Sequence, residues 1–140
     1  MSNIEAIDHV SLLVSNTRRA LEFYTGILGL EEAERPDLGF PGAWLQVGSQ
    51  QIHLLELPNP DPVAGRPEHG GRDRHLAMKV KDLDPLIGSL KENGIAYTLS
   101  RSGRRALFCR DPDGNGLELI EKGISKNRDT RVGQRGPAAR

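Results

Sequence analysis

Apolar and polar residues follow an order that occurs twice along the chain. Residues 7–14 alternate in the manner of a strand, and a helical repeat of apolar residues follows and ends at Gly29. Residues 73–80 alternate in the same way, and a second helical repeat ends at Gly94. Further strands are predicted after each helix, at 44–47 and 51–57 in the first half and at 96–99, 105–110 and 116–121 in the second. The pattern therefore predicts two copies of one unit, each a strand, a helix and two or three strands.

The boundaries of the two copies are marked by capping residues, turns and a loop. Asn16 or Thr17 is placed to cap the first helix, and Asp82 to cap the second. A proline- and glycine-rich loop at 58–72 separates the copies, which gives modules of about 6–57 and 73–122 within one domain at 1–122. Residues 123–140 form a basic tail, expected to be solvated or to dock on the body or on a partner subunit.

Four side chains with metal-ligating atoms stand at matched places in the two copies. His9 precedes His53 by 44 residues, and His75 precedes Glu118 by 43. Alternate residues of a strand share a face, and the apolar alternates are expected to pack against the helices. The four side chains are therefore expected on the opposite, concave face of a curved sheet, where a repeat of this kind would bring them to one point.

The same four residues have a simpler explanation, as unrelated polar side chains in strands. If they do converge, three imidazoles and one carboxylate suit a borderline divalent ion such as zinc, nickel, iron, cobalt or manganese. Such a set leaves coordination positions for water or a substrate. His69 and three arginines of the loop region, Arg66, Arg72 and Arg74, are expected to be solvated, although the arginines are also placed to hold an anion.

Composition limits the kinds of partner. The chain has 140 residues, the length of one domain, with 36% hydrophobic and 27% charged residues. Its 19 basic and 19 acidic residues leave no net charge to attract nucleic acid or an anionic membrane. There is no apolar run of membrane-spanning length, no secretory pattern and only one cysteine, Cys109, which is expected to be a small buried side chain. These features predict a cytoplasmic protein with no nucleic-acid or membrane partner.

The segments DHVSLLV, EFYTGILGL, QIHLLEL, RHLAMKV and DPDGNGLEL resemble the vicinal oxygen chelate superfamily. This superfamily contains glyoxalase I, bleomycin-resistance proteins, fosfomycin-inactivating enzymes, methylmalonyl-CoA epimerase and extradiol dioxygenases. The resemblance covers residues 6–122 and implies an α+β fold in which two βαβββ modules form a curved mixed sheet, or cup, around one divalent metal per chain. It also implies a homodimer, and it places His9, His75 and Glu118 on the most widespread ligand positions.

His53 departs from the pattern, because glyoxalase I-like members carry a glutamate or glutamine at its place. With a divalent ion, three histidines and one glutamate carry a formal charge of +1 rather than zero, which favours an anionic substrate. The change also removes one carboxylate that would act as a base, so Glu118 and His53 are the candidate catalytic residues.

These considerations predict a metal-dependent lyase or isomerase of glyoxalase type that acts on a small, oxygen-chelating substrate. Two alternatives remain, an extradiol-type dioxygenase with a His9, His75 and Glu118 iron site, and a metal-free binding protein of the bleomycin-resistance kind. A fosfomycin-inactivating enzyme is disfavoured, because residues 104–109 lack the extra polar and aromatic side chains of that group.

Overall fold

The computed structural model describes residues 2–123, which form two compact units divided between Pro62 and Val63. The first unit contains strand β1 (His9–Val14), helix α1 (Thr17–Leu21) with a π-helical continuation (Glu22–Ile27), and strands β2 (Glu31–Ala33), β3 (Gly42–Val47) and β4 (Gln50–Glu56). The second unit contains a 3-10 turn (Gly70–Arg72), strand β5 (His75–Val80), helix α2 (Leu83–Glu92), and strands β6 (Tyr97–Leu99), β7 (Ala106–Arg110) and β8 (Gly116–Glu121). The predicted tail lies outside the described residues, apart from Gly123.

The two units share one topology. Each is an open, curved four-stranded sheet, with strand order β1-β4-β3-β2 in the first and β5-β8-β7-β6 in the second. The first and last strands of each unit pair in parallel, and the other neighbours pair antiparallel. The prediction of two βαβββ modules in an α+β fold is confirmed. Within residues 2–123, no helix is both long enough and apolar enough to cross a lipid bilayer.

Strand register places the candidate ligands of each unit on the face away from the core. Ser11 on β1 pairs with His53 on β4. His9 lies two residues before Ser11 and therefore on the same face of the sheet as His53. In the second unit Ala77 pairs with Glu118 on β8, and His75 lies one step along β5. Most of the alternate residues on the other face are apolar, and several are buried: Ile52, Leu54, Leu117 and Leu119.

Two elements of the first unit differ from the sequence prediction. The helix keeps α-helical bonding only to Leu21 and then widens, since the amide of Leu28 donates to the carbonyl of Phe23, five residues back. The Thr25 hydroxyl donates to the Leu21 carbonyl at 2.6 Å and so competes for the acceptor of the regular ladder. Strand β2 was not predicted, because its three residues, EEA, carry no strand pattern of their own.

The helices begin as predicted, and each has a second cap from a distant strand. Asn16 accepts a hydrogen bond from the Arg19 amide, and Asp82 accepts one from the Asp84 amide. In addition, Glu56 Oε1 at the end of β4 accepts from both the amide and the hydroxyl of Thr17 at 2.8 Å. At the end of β8, Glu121 Oε2 accepts from the Leu83 amide at 3.1 Å.

We expect Glu56 to make stability depend on pH. The hydrogen bonds from the Thr17 amide and then the Thr17 hydroxyl lower the pKa of Glu56 below its ordinary value of 4.5. A carboxyl whose folded pKa is depressed stabilises the fold above its unfolded pKa, and that contribution is lost as pH falls through the folded pKa. Melting temperatures recorded from about pH 6 to about pH 3 should therefore fall less for Glu56→Gln than for the wild type. The exposed Glu32 on β2 supplies a control, Glu32→Gln, which should follow the wild-type curve.

Candidate functional site

The four predicted ligands fall into two pairs, one in each unit. In the first unit the rings of His9 and His53 are stacked, with centroids 3.9 Å apart and planes inclined by 18°. In the second unit His75 Nε2 lies 3.2 Å from Glu118 Oε1. Over residues 2–123, neither unit gathers three or more His, Cys, Asp or Glu side chains into one metal-binding group. Each unit thus presents half of the predicted donor set.

The second-unit pair has the geometry of two ligands that share a cation. His75 Nδ1 lies 2.8 Å from the carbonyl oxygen of Asp73, which only accepts, so Nδ1 carries the hydrogen. In the neutral ring, Nε2 then directs its lone pair at Glu118 Oε1. Two lone pairs that face each other need a proton or a metal ion between them. The observed 3.2 Å fits both cases, because N–H···O hydrogen bonds extend to about 3.2 Å and two donor atoms on a tetrahedral zinc ion lie about 3.3 Å apart.

Glu118 is held from both sides. Its side chain is 5% exposed, and its second oxygen, Oε2, accepts a hydrogen bond from Arg104 Nη2 at 3.2 Å. Phe108 pairs with Glu118 across β7 and β8, and its ring meets the His75 ring edge-on at 5.2 Å. The carboxylate therefore has a fixed orientation and two cationic or potentially cationic neighbours.

His9 shows the same arrangement of nitrogens as His75. Its Nδ1 lies 2.8 Å from the carboxylate of Asp8, so Nδ1 carries the hydrogen and Nε2 is left with the lone pair. Histidines that ligate metals almost always donate their other ring N–H to a carboxylate or a backbone carbonyl. His9 and His75 meet this condition with a carboxylate and a carbonyl, respectively.

In His53 the lone pair of the ring is on Nδ1, whereas in His9 and His75 it is on Nε2. Gln46 Nε2 donates to the carbonyls of Gly48 and Gln50, so its Oε1 is the acceptor for Gln51 Nε2 at 2.9 Å. Gln51 Oε1 is thereby left to accept from His53 Nε2 at 2.8 Å. The chain of amides fixes the hydrogen on Nε2 and leaves the lone pair of the neutral ring on Nδ1.

The surroundings of His53 keep its ring neutral. It is buried between the Trp44 ring, at 4.1 Å and nearly parallel, and the His9 ring. Burial lowers the pKa of His53, and the charges of His9 and Arg35 lower it further, against an opposing effect of Asp8. A neutral imidazole is the form that binds a metal or accepts a proton.

Comparison with known proteins identifies the family of the chain. Residues 6–119 match the model of the Glyoxalase/Bleomycin resistance protein/Dioxygenase superfamily. The chain belongs to this superfamily. It is 30% identical over 123 residues to Glyoxylase I 4 of Arabidopsis thaliana, a match that covers 84% of this chain and 71% of the relative. The resemblance seen in the sequence is thus confirmed, although the superfamily covers several activities.

Solved structures of the superfamily share the fold. A protein of the glyoxalase family from Bacillus anthracis superposes with a TM-score of 0.72 at 28% identity, covering 88% of this chain and 99% of that one. A mutant of the fosfomycin resistance protein FosX from Listeria monocytogenes, in complex with Mn(II) and a dihydroxypropylphosphonic acid, superposes with a TM-score of 0.69. That match is at 18% identity and covers 86% of this chain and 95% of the other, so it shows the fold alone.

The loop that precedes β5 is bound to the second sheet more tightly than the sequence suggested. His69 Nδ1 lies 2.9 Å from the Thr98 hydroxyl, and the ring meets Phe108 edge-on at 5.0 Å, so the expectation of a solvated side chain is wrong. Arg66 is paired with Asp73, which also accepts from Arg110 at 2.8 Å. Arg66 is therefore occupied, whereas Arg72 is exposed.

A cavity of about 420 Å³ lies in the second unit beside Phe108. Its lining residues are mostly uncharged, and they include Ile95, Tyr97 and Phe108 together with Glu68 and Arg110. Phe108 also contacts His75, although neither His75 nor Glu118 lines the cavity. Cys109 also lines it, but burial raises the pKa of that thiol to about 12, so it is inert as a nucleophile.

Three residues that contact or influence the candidate ligands were missed from the sequence. Nothing in the local sequence around Arg104 reveals its contact with Glu118. Arg35 reaches toward Gly42 and Phe40 and acts on His53 by its charge alone. Gln51 sits two residues before His53, a spacing on one strand face that does indicate a side-chain contact.

Proposed function

We propose that this protein is a divalent-metal-dependent enzyme of glyoxalase type, a lyase or isomerase that moves a proton on a small substrate with two neighbouring oxygen atoms. The observation that carries the proposal is the pair of His75 and Glu118, whose atoms Nε2 and Oε1 face each other at 3.2 Å. Neither atom carries a hydrogen when the histidine is neutral and the glutamate is ionised. The proposed donors are His9, His53, His75 and Glu118, two from each unit, for one ion per chain. Zinc, nickel, cobalt, manganese and iron all suit this donor set.

The ion supplies Lewis acidity that polarises the two substrate oxygens when it is bound. The chain's own contribution is to move the proton. His53 Nδ1 is proposed to take it when His53 leaves the ion, because the same lone pair serves as the metal donor and the Nε2–H stays anchored on Gln51. Glu118 is the second candidate, although both of its oxygens already have partners.

The substrate is proposed to be small and anionic. The cavity of about 420 Å³ lined by Phe108 is within the range of small-molecule pockets, and the Phe108 ring, which contacts His75, offers an apolar wall for the part of the substrate that does not chelate. Three neutral histidines and one carboxylate leave a divalent site with a net positive charge, which favours an anion.

Metal content and turnover test the proposal together. Protein purified without added metal should contain one divalent ion per chain by elemental analysis. Metal-free protein should gain hemithioacetal turnover when zinc, nickel, cobalt or manganese is added back. Protein that binds no divalent ion, or that binds its ligand equally well after chelation, would instead be a metal-free binding protein.

An extradiol-type dioxygenase is the second candidate, and one observation favours it. His9 and His75 both present Nε2, whereas His53 presents Nδ1, so His53 is the exception among the histidines. Without His53 the set is two histidines and one carboxylate, a triad typical of non-haem iron oxygenases. Iron in the purified protein, together with ring cleavage of a catechol, would establish this alternative.

We propose that the protein is a homodimer with sites shared between chains. Mixing inactive His9→Ala and Glu118→Ala chains should then restore metal binding, because one of the two sites in each heterodimer keeps all its donors. Metal bound per dimer and turnover measure the recovery, and each variant unfolded and refolded alone is the control. Heterodimers that form but regain nothing would place each site within a single chain.

A further inference from the structure

Arg104 is placed to influence the candidate metal site without being one of its ligands. It lies between β6 and β7, and its guanidinium holds Oε2 of Glu118, while Oε1 faces His75. The two oxygens of the carboxylate therefore have separate partners. Glu118 is buried, but the Arg104 side chain is 58% exposed, so one side of the guanidinium faces solvent.

The position of Arg104 is set by a short network of hydrogen bonds. Ser102 Oγ accepts from the backbone amide and from Nε of Arg104, at 3.3 and 3.4 Å. Ser102 is tied in turn to the buried Ser100, with the two hydroxyls 2.8 Å apart. The Arg104 side chain is thus held by Ser102 near its backbone and by Glu118 at its guanidinium. A surface arginine that merely reaches a carboxylate lacks the first of these contacts.

We propose that Arg104 couples metal binding to anion binding, an inference that rests on the proposed metal site. With Oε2 held by Arg104, only Oε1 is offered to an ion, which keeps Glu118 a ligand through one oxygen. A guanidinium has five N–H donors, of which Glu118 and Ser102 use two. The remaining donors bind an anionic oxygen of the substrate, so Arg104 acts as a contact that selects anions and as a positive charge beside the ligand Glu118.

This role predicts effects of opposite sign. The positive charge of Arg104 repels a divalent ion bound to Glu118, so its removal should strengthen metal binding. The same removal takes away charge-assisted hydrogen bonds to an anion, so anion binding should weaken. A purely structural role would instead weaken both.

The test compares Arg104→Met and Arg104→Lys with Arg101→Met in the full-length protein. Arg101 lies on the same loop, is exposed and has no polar contact among the residues that the structure describes, so it controls for loss of charge on the loop. Titration calorimetry gives the affinity for Zn²⁺, and then the affinity of the zinc-loaded protein for oxalate, an anion with two neighbouring chelating oxygens. Thermal melts confirm that each variant is folded.

Arg104→Met should bind Zn²⁺ about twofold to fivefold more tightly, and oxalate about 10- to 100-fold more weakly. Arg104→Lys should keep the wild-type zinc affinity and lose part of the oxalate affinity, because lysine keeps the charge but not the fork of donors. If both affinities fall, if neither changes, or if Arg101→Met has the same effects, the role of Arg104 is wrong while the metal site stands. If the wild type binds no Zn²⁺, both proposals are overturned.

Discussion

Replacing Glu118 by glutamine should lower the affinity for a divalent ion by more than about 100-fold, beyond what the loss of an outer-shell partner costs. Glutamine keeps the shape of the side chain but removes the only anionic donor, and it leaves Arg104 as an uncompensated positive charge beside the site. Competition with a chromophoric chelator measures the affinity. Glu32→Gln, on an exposed strand position, is the matched control.

The same titration has an expected dependence on pH. Metal binding to the wild type should weaken below about pH 6, because imidazoles must be neutral to act as ligands. A Glu118→Gln protein that melts like the wild type and binds metal equally well would show that this carboxylate is no ligand. The second half-site would then have to be reassigned.

Substitutions of His53 should separate metal binding from proton transfer. His53→Ala should lower metal affinity about tenfold but keep weak binding, since three donors remain. His53→Glu should return the site to formal neutrality and supply a second carboxylate. We expect it to raise hemithioacetal turnover and to weaken the binding of oxalate.

The stacking partner of His53 supplies a control for these variants. Trp44→Phe keeps an aromatic ring against His53, so it should retain the metal affinity of the wild type. If His53→Ala leaves both metal affinity and all turnover unchanged, His53 is only part of the wall. The site is then a His9, His75 and Glu118 triad, and the dioxygenase becomes the better proposal.

The features that the sequence predicts well are those that local pattern determines. Alternation of apolar residues places His9, His53, His75 and Glu118 on strand faces away from the core, and the matched spacings reveal the repeat. Asn16 and Asp82 mark the helix starts because capping is a property of a few neighbouring residues.

Features that depend on distant contacts were not predictable in this way. The His69 contact joins residues 29 apart, and the Arg104 contact with Glu118 crosses a hairpin between residues 14 apart. The tautomer of His53 depends on the orientations of two side-chain amides, those of Gln46 and Gln51, which the adjacent carbonyls determine. Strand β2 exists because β3 offers it a partner, not because its sequence favours a strand.

The two distant caps make the first amides of the helices unusual in hydrogen exchange. First-turn amides of a helix have no acceptor within it and normally exchange with solvent quickly. Thr17 and Leu83 instead donate to Glu56 and Glu121, each three residues beyond a candidate ligand on its strand. Their slow exchange would therefore report on the ends of the strands that carry His53 and Glu118, and a ligand that orders those strands would slow it further.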